Sequence, residues 1–218
     1  DDPAQMRRRF AAGMRLASLL AGLLAGGLAA FGSPFLALWV GARFVAGPWT
    51  DRSDAVMAIL LAAHLPRVLQ SISWQLLYGT RRVGFLMWLN LGEAAANLTA
   101  SLILVRHFGL AGVALGTLAP SLATHGLLMP RYVMKSFGIR AGDYLWRAPR
   151  AGYMTGLATA AAGFALTAWG APSNLAEFFA ETLAAGLAGG LCIWRAGLEP
   201  DEKRKLLALL PGRRGGEA

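Results

Sequence analysis

The chain has one cysteine among 218 residues, so neither an internal disulfide nor a thiolate metal site can form within it. Charge is scarce as well. Asp, Glu, Lys and Arg together make up 15%, against about 25% in soluble domains. The few acidic groups occur singly or in pairs, and nothing has the spacing of a P-loop, a Ser/His/Asp set or a metal-ligand cluster. Catalytic chemistry and resident cofactors are therefore not expected. What fills the space is apolar: 56% hydrophobic residues and a mean hydropathy of +0.46. The uncharged run from Leu16 to Val40 has 25 residues, and about 20 suffice to cross a bilayer.

The pattern predicts an all-α, polytopic membrane bundle of about six spans, at 10–32, 55–78, 83–105, 108–129, 151–170 and 175–194. A basic flank, 1–9, precedes them, and a basic aromatic segment, 131–150, is expected to lie along the headgroups. A charged tail follows from 196 to 218, with Pro200 opening a short helix over 201–210 and disorder after Gly212. Pro34 and Pro120 are expected to bend or end their helices. The missing initiator methionine suggests a fragment or a processed product.

The net charge of +9 suggests nucleic acid only until its distribution is read. Seventeen of the 21 basic residues lie on flanks of one parity, and three (Arg43, Arg52, Arg106) on the other. That bias is the positive-inside pattern and places both termini in the cytoplasm, with no nucleic-acid partner. Arg67 alone falls inside a span.

Two polar stripes interrupt the apolar helices. On the second span His64, Arg67, Ser71, Gln75 and Tyr78 share a face, and on the third Asn90, Glu93, Asn97 and Ser101 do the same. They read either as the wall of a hydrophilic cavity or as interhelical hydrogen bonding that holds the bundle together. Arg67 and Glu93 lie about thirteen residues either side of the turn at Thr80–Arg81, hence at equal depth near the midplane, and are expected to pair. His125 and Gln70 read as packing partners. Glu177 and Glu181 share a face and allow a cation site, or simply reach water at the interface. Gly109, Gly112 and Gly116 form a ridge that admits a close neighbouring helix.

The stretch Asn97–Thr117, with the pattern N-L-x-x-S-L-I-L-V-x-x-F-G-L-x-G-V-A-L-G-T, resembles the late-helix signature of bacterial polysaccharide exporters. These are oligosaccharide flippases of the multidrug/oligosaccharidyl-lipid/polysaccharide exporter superfamily. Leu36–Phe44 and Leu128–Val133 resemble the blocks that flank it, and the likeness covers roughly residues 5 to 140. It implies the carboxy-terminal portion of a protein with two six-helix bundles around a cavity. Such a protein moves polyprenyl-diphosphate-linked oligosaccharide across the bacterial inner membrane. The partners it implies are membrane lipid, the lipid-linked oligosaccharide, a missing amino-terminal half and polysaccharide polymerase machinery. No cofactor is implied, and the coupling cation, if there is one, stays open. The alternatives are a cation-coupled drug or metabolite exporter, a lipid II flippase, or a non-transporting scaffold of an envelope-polymer synthase.

Overall fold

The computed structural model of the chain describes residues 3–197, all helix and turn. The helix expected over 201–210 and the tail from 198 onward lie outside the described residues. In order, the helices are α1 (Pro3–Trp39), α2 (Ser53–Leu69), α3 (Ser71–Gly79), α4 (Val83–Ser121), α5 (Met129–Phe137), α6 (Arg150–Trp169) and α7 (Leu175–Cys192). π-helical turns at Leu122–Leu128, Asp143–Arg147 and Ile193–Gly197 join or extend them.

Four helical stretches are long and apolar enough to cross a membrane: Gln5–Trp39, Ser53–Gly79, Val83–Phe137 and Leu175–Arg195. They differ from the six expected spans for two reasons. The expected third and fourth spans belong to one stretch of 55 residues, which folds back at Gly109. The expected fifth is α6, whose Gly, Ala and Thr content makes it less apolar per residue. The outward surface is rich in large apolar side chains, with Leu24, Leu102, Leu157 and Leu187 all exposed, as lipid contact requires.

Gly109 makes the fold-back. Its φ of 54° and ψ of −134° break the helix at one residue, a backbone shape reserved for glycine. The two arms then pack so closely that a Cβ on Gly112 would strike the Leu104 carbonyl, and one on Gly116 would strike the Ser101 backbone. Gly112 and Gly116 thus pack against the arm that precedes them, while Gly109, expected in the same ridge, serves as the hinge.

Pro34 sits inside α1 without ending it. The basic flank is itself helical: helix begins at Pro3, and Arg7–Arg9 lie in its early turns. The 131–150 segment is largely helical. Its first part, α5, prolongs the preceding rod until Gly138 closes it in the left-handed region, at φ 61°.

A ladder of small residues joins α1 to α6. A Cβ on Gly22 would overlap the Gly152 carbonyl, one on Gly26 the Gly156 carbonyl, and one on Gly152 the Ser18 carbonyl. The contacts climb both helices together, so the pair is parallel. On α7, Gly189 lies against Leu23 and Thr159 while Phe178 meets Phe31 edge-on and Phe35 at a tilt, so α7 runs antiparallel to α1. Near the start of α1 a core of Phe10, Met14, Leu77, Leu86, Leu89, Met129, Val133, Tyr144 and Ala148 gathers the other elements.

Candidate functional site

The polar centre lies where α2, α4 and the Leu122–Leu128 π turn meet. Ser121 sets the register by donating its hydroxyl to the Ala63 carbonyl at 2.6 Å. One turn further along each helix, Arg67 and His125 therefore come opposite one another. Thr124 donates to the Pro120 carbonyl at 2.9 Å.

Arg67 Nη2 donates to Glu93 Oε2 at 3.2 Å. His125 Nε2 lies 2.9 Å from the same oxygen and 3.1 Å from Arg67 Nε. Arg67 and Glu93 are thus partners at one depth, as their equal distance from the turn predicts. His125 is the member that the sequence reading set aside. The three differ sharply in exposure: the side chains are 46% exposed for Arg67, 9% for Glu93 and 0% for His125. A buried carboxylate is thereby flanked by a buried imidazole and by a guanidinium that opens outward. The Trp74 ring lies 6.1 Å from the imidazole, centroid to centroid, and His125 Nδ1 is buried with no partner among the described residues.

The rest of the third-span stripe has other work. Asn97 Nδ2 donates to Thr117 Oγ1 at 3.4 Å, and Ser101 Oγ to the Val113 carbonyl at 3.3 Å, so both hold the Gly109 hairpin closed. Asn90 is half-buried.

The second-span stripe is broken rather than continuous. Pro66 supplies no N–H to its helix, and α2 gives way to α3 at Gln70, whose φ of −85° and ψ of 2° are not helical. The break rotates the residues beyond it, so Ser71 is only half-buried and Gln75 exposed, like His64. Gln70 and Ser73 turn inward in their place. Tyr144 donates its phenol hydrogen to Gln70 Oε1, and its oxygen lies 2.6 Å from Ser73 Oγ. Burial pushes the Tyr144 phenol up to about 12, against a smaller opposing pull from Ser73 and Gln70. Neither Ser73 nor Tyr144 was singled out as a site from sequence. The only signal was the break that Pro66 makes in a polar stripe.

Glu177 spends its carboxylate on the start of its own helix, and Glu181 Oε2 is buried with no partner among the described residues. Asn174 caps α7 by accepting from the Glu177 backbone N–H at 2.9 Å, and Glu177 Oε2 accepts from the N–H and hydroxyl of Ser173, each at 2.8 Å. Glu177 is thus held in a reciprocal cap. Among the described residues no three His, Cys, Asp or Glu side chains gather as a metal site would need.

Apart from the polar centre, a groove of about 650 Å³ runs between α1, α2 and α6, lined by Gly22, Gly26, Met57, Leu61, Leu65 and Tyr153 among others. It is mostly apolar and does not reach the Arg67 group. Comparison of the chain with family models, with curated proteins and with solved structures found no match.

Proposed function

We propose that this chain is the carboxy-terminal portion of a multi-pass transporter that carries a polyprenyl-diphosphate-linked oligosaccharide across the bacterial inner membrane. One observation carries the reading: a half-exposed guanidinium stands midway along a membrane-length rod. Arg67 lies fourteen residues from Ser53 and twelve from Gly79, hence roughly 20 Å from either end at about 1.5 Å per residue. An arginine facing lipid at that depth costs roughly 2.5–3.5 kcal/mol on insertion scales. Its open side therefore faces water or further protein, and exposed His64, one turn earlier on α2, extends that polar face. A guanidinium held by one carboxylate can present its remaining donors to a diphosphate as a planar fork.

In this reading all six helical rods cross the membrane, the two arms of the Gly109 hairpin counting separately. The parallel pairing of α1 with α6 suits the first and fifth of six alternating passes. The antiparallel pairing of α1 with α7 suits the first and sixth. Both termini of the segment are then cytoplasmic, in keeping with the arginine bias. The missing amino-terminal half would supply the opposite wall of the cavity, since one bundle cannot alternate access alone. The scaffold alternative draws support from Asn97 and Ser101, which serve packing only.

Arg67→Gln in the full-length transporter tests the function. Surface polysaccharide is expected to fall much further than the membrane level of the protein, since the Gln amide can still donate to Glu93 while the cation is gone. Unimpaired polysaccharide export with that variant would remove the reading.

A further inference from the structure

His125 Nε2 is asked to do two incompatible things. Arg67 Nε, a donor in every state of the protein, lies 3.1 Å from it, and Glu93 Oε2, an acceptor when ionised, lies 2.9 Å from it. An imidazole nitrogen carries a hydrogen or a lone pair, never both. With the lone pair on Nε2, the ring accepts from Arg67 Nε. Its hydrogen then sits on Nδ1, which has no partner, and the lone pair faces the carboxylate. With the hydrogen on Nε2, the ring donates to Glu93, and Arg67 Nε faces a donor and has lost its acceptor. A second proton on the ring removes the choice. Nε2–H is then fixed toward Glu93, and the positive imidazolium repels the guanidinium beside it.

The charged and titratable groups around the ring are few. From α2 they are Arg67 and His64, and from α4 Glu93, while α3 contributes only the neutral Trp74 ring. Of these, Arg67 is the one that both touches the ring and has an open side.

We propose that His125 is a proton-binding switch for Arg67, so that a proton on the imidazole and an anion on the guanidinium bind together. The proton passes from water to the Glu93 carboxylate and from Glu93 Oε2 to His125 Nε2, adding one positive charge and breaking no covalent bond except that to the hydrogen. Arg67 then keeps only its Nη2 contact with Glu93 and turns its Nε edge to the open face. Loss of the proton restores the bare Nε2 and clasps the guanidinium again. By linkage, an anion that draws Arg67 outward must pull a proton onto the ring to the same extent. The proposal rests on the reading of Arg67 as the residue that meets a diphosphate, and it adds a proton to each such encounter.

The test is calorimetric titration of the full-length protein in lipid nanodiscs, in buffers of different ionisation heat, across the range in which histidine changes charge. The probes are a nucleoside diphosphate sugar, a diphosphate diester whose charge is constant over that range, and inorganic sulfate. Binding of the diester is expected to strengthen by up to about tenfold for each pH unit lowered, with proton uptake measured directly. His125→Gln should bind without proton uptake and without that pH dependence, and the near-isosteric Glu93→Gln, a second variant should the first misfold, should also lose the uptake. His107→Gln, at the hairpin corner, should change neither. Diester binding that is equal at every pH, or proton uptake that survives His125→Gln, overturns the switch and leaves the transport reading standing. Sulfate binding with His125-dependent proton uptake, but no diester binding, keeps the switch and overturns the diphosphate reading. If neither anion binds, both fall.

Discussion

Removing Arg67 is expected to harm the fold more than removing Glu93, although the two share one ion pair. The reason is their unequal exposure. In Glu93→Ala the side chain left behind is a guanidinium already 46% open, which water on its open side can satisfy. Its loss of one partner should cost about 1 kcal/mol, the range of a partly exposed ion pair. In Arg67→Ala the group left behind is a carboxylate 9% exposed beside an imidazole that is 0% exposed. Stranding one member of a fully buried pair costs roughly 3–5 kcal/mol, and with His125 still in place we expect about 2–3 kcal/mol here. The double variant leaves no stranded carboxylate. Its cost should lie near that of Glu93→Ala, well below the sum of the single changes. Thermal unfolding of the purified protein in detergent, followed by tryptophan fluorescence, measures all four corners of the cycle. Glu93→Ala costing as much as Arg67→Ala, or a double variant equal to the sum, would refute the argument from burial.

Three further outcomes are expected. With Cys192 replaced, cysteines placed at Ala46 or Ala171 should react with an impermeant thiol reagent added outside the cell, and those at Arg81 or Arg140 should not; the reverse pattern would invert the orientation. Gly152→Ala, which sets a methyl against the Ser18 carbonyl, should destabilise by about 1–3 kcal/mol. Gly27→Ala, which meets nothing within 4 Å, should be neutral or stabilise by up to about 1 kcal/mol, and equal behaviour in a melting assay would sink the ladder. The Tyr144 phenol, raised from 10.0 to about 12 in the fold, contributes stability that is fully present below pH 10 and is lost as pH rises toward 12, roughly 3 kcal/mol in all. Tyr144→Phe should unfold with a weaker dependence across that alkaline window, and an unchanged pH profile would place the ionising phenol elsewhere.

Sequence reasoning reached the Arg67–Glu93 contact because depth along two helices joined by a tight turn is simple arithmetic. It reached the Gly109 ridge because close helix approach leaves a mark in residue size. It did not join His125 to that pair, since a partner from a third helix depends on how rods rotate against one another, and spacing along one rod carries no such information. It also carried the second-span stripe straight through Gln70. The loss of a single N–H at Pro66 is visible in the chain, but the size of the rotation that follows is set by what packs against the next turn. Tyr144, which fills that place from more than 70 positions away, could not be inferred from local pattern. The span count diverged for a different reason. The stretch Val83–Phe137 folds back on itself at Gly109, and α6, rich in Gly, Ala and Thr, is less apolar than the four stretches long and apolar enough to cross a membrane.

The α1–α6 ladder also has a consequence for synthesis. Gly22 and Gly156 belong to one contact, yet 134 positions separate them in the chain. At roughly 5–20 residues per second, the first helix enters the membrane on the order of ten seconds before its partner is made. Throughout that interval its glycine face is a groove open to any passing small-residue helix, including α1 of another nascent copy. Order of arrival, and not affinity alone, then decides which pair forms. Slowing translation between the two helices should raise the yield of chains joined through the wrong α1 long before it alters the stability of those that finish correctly.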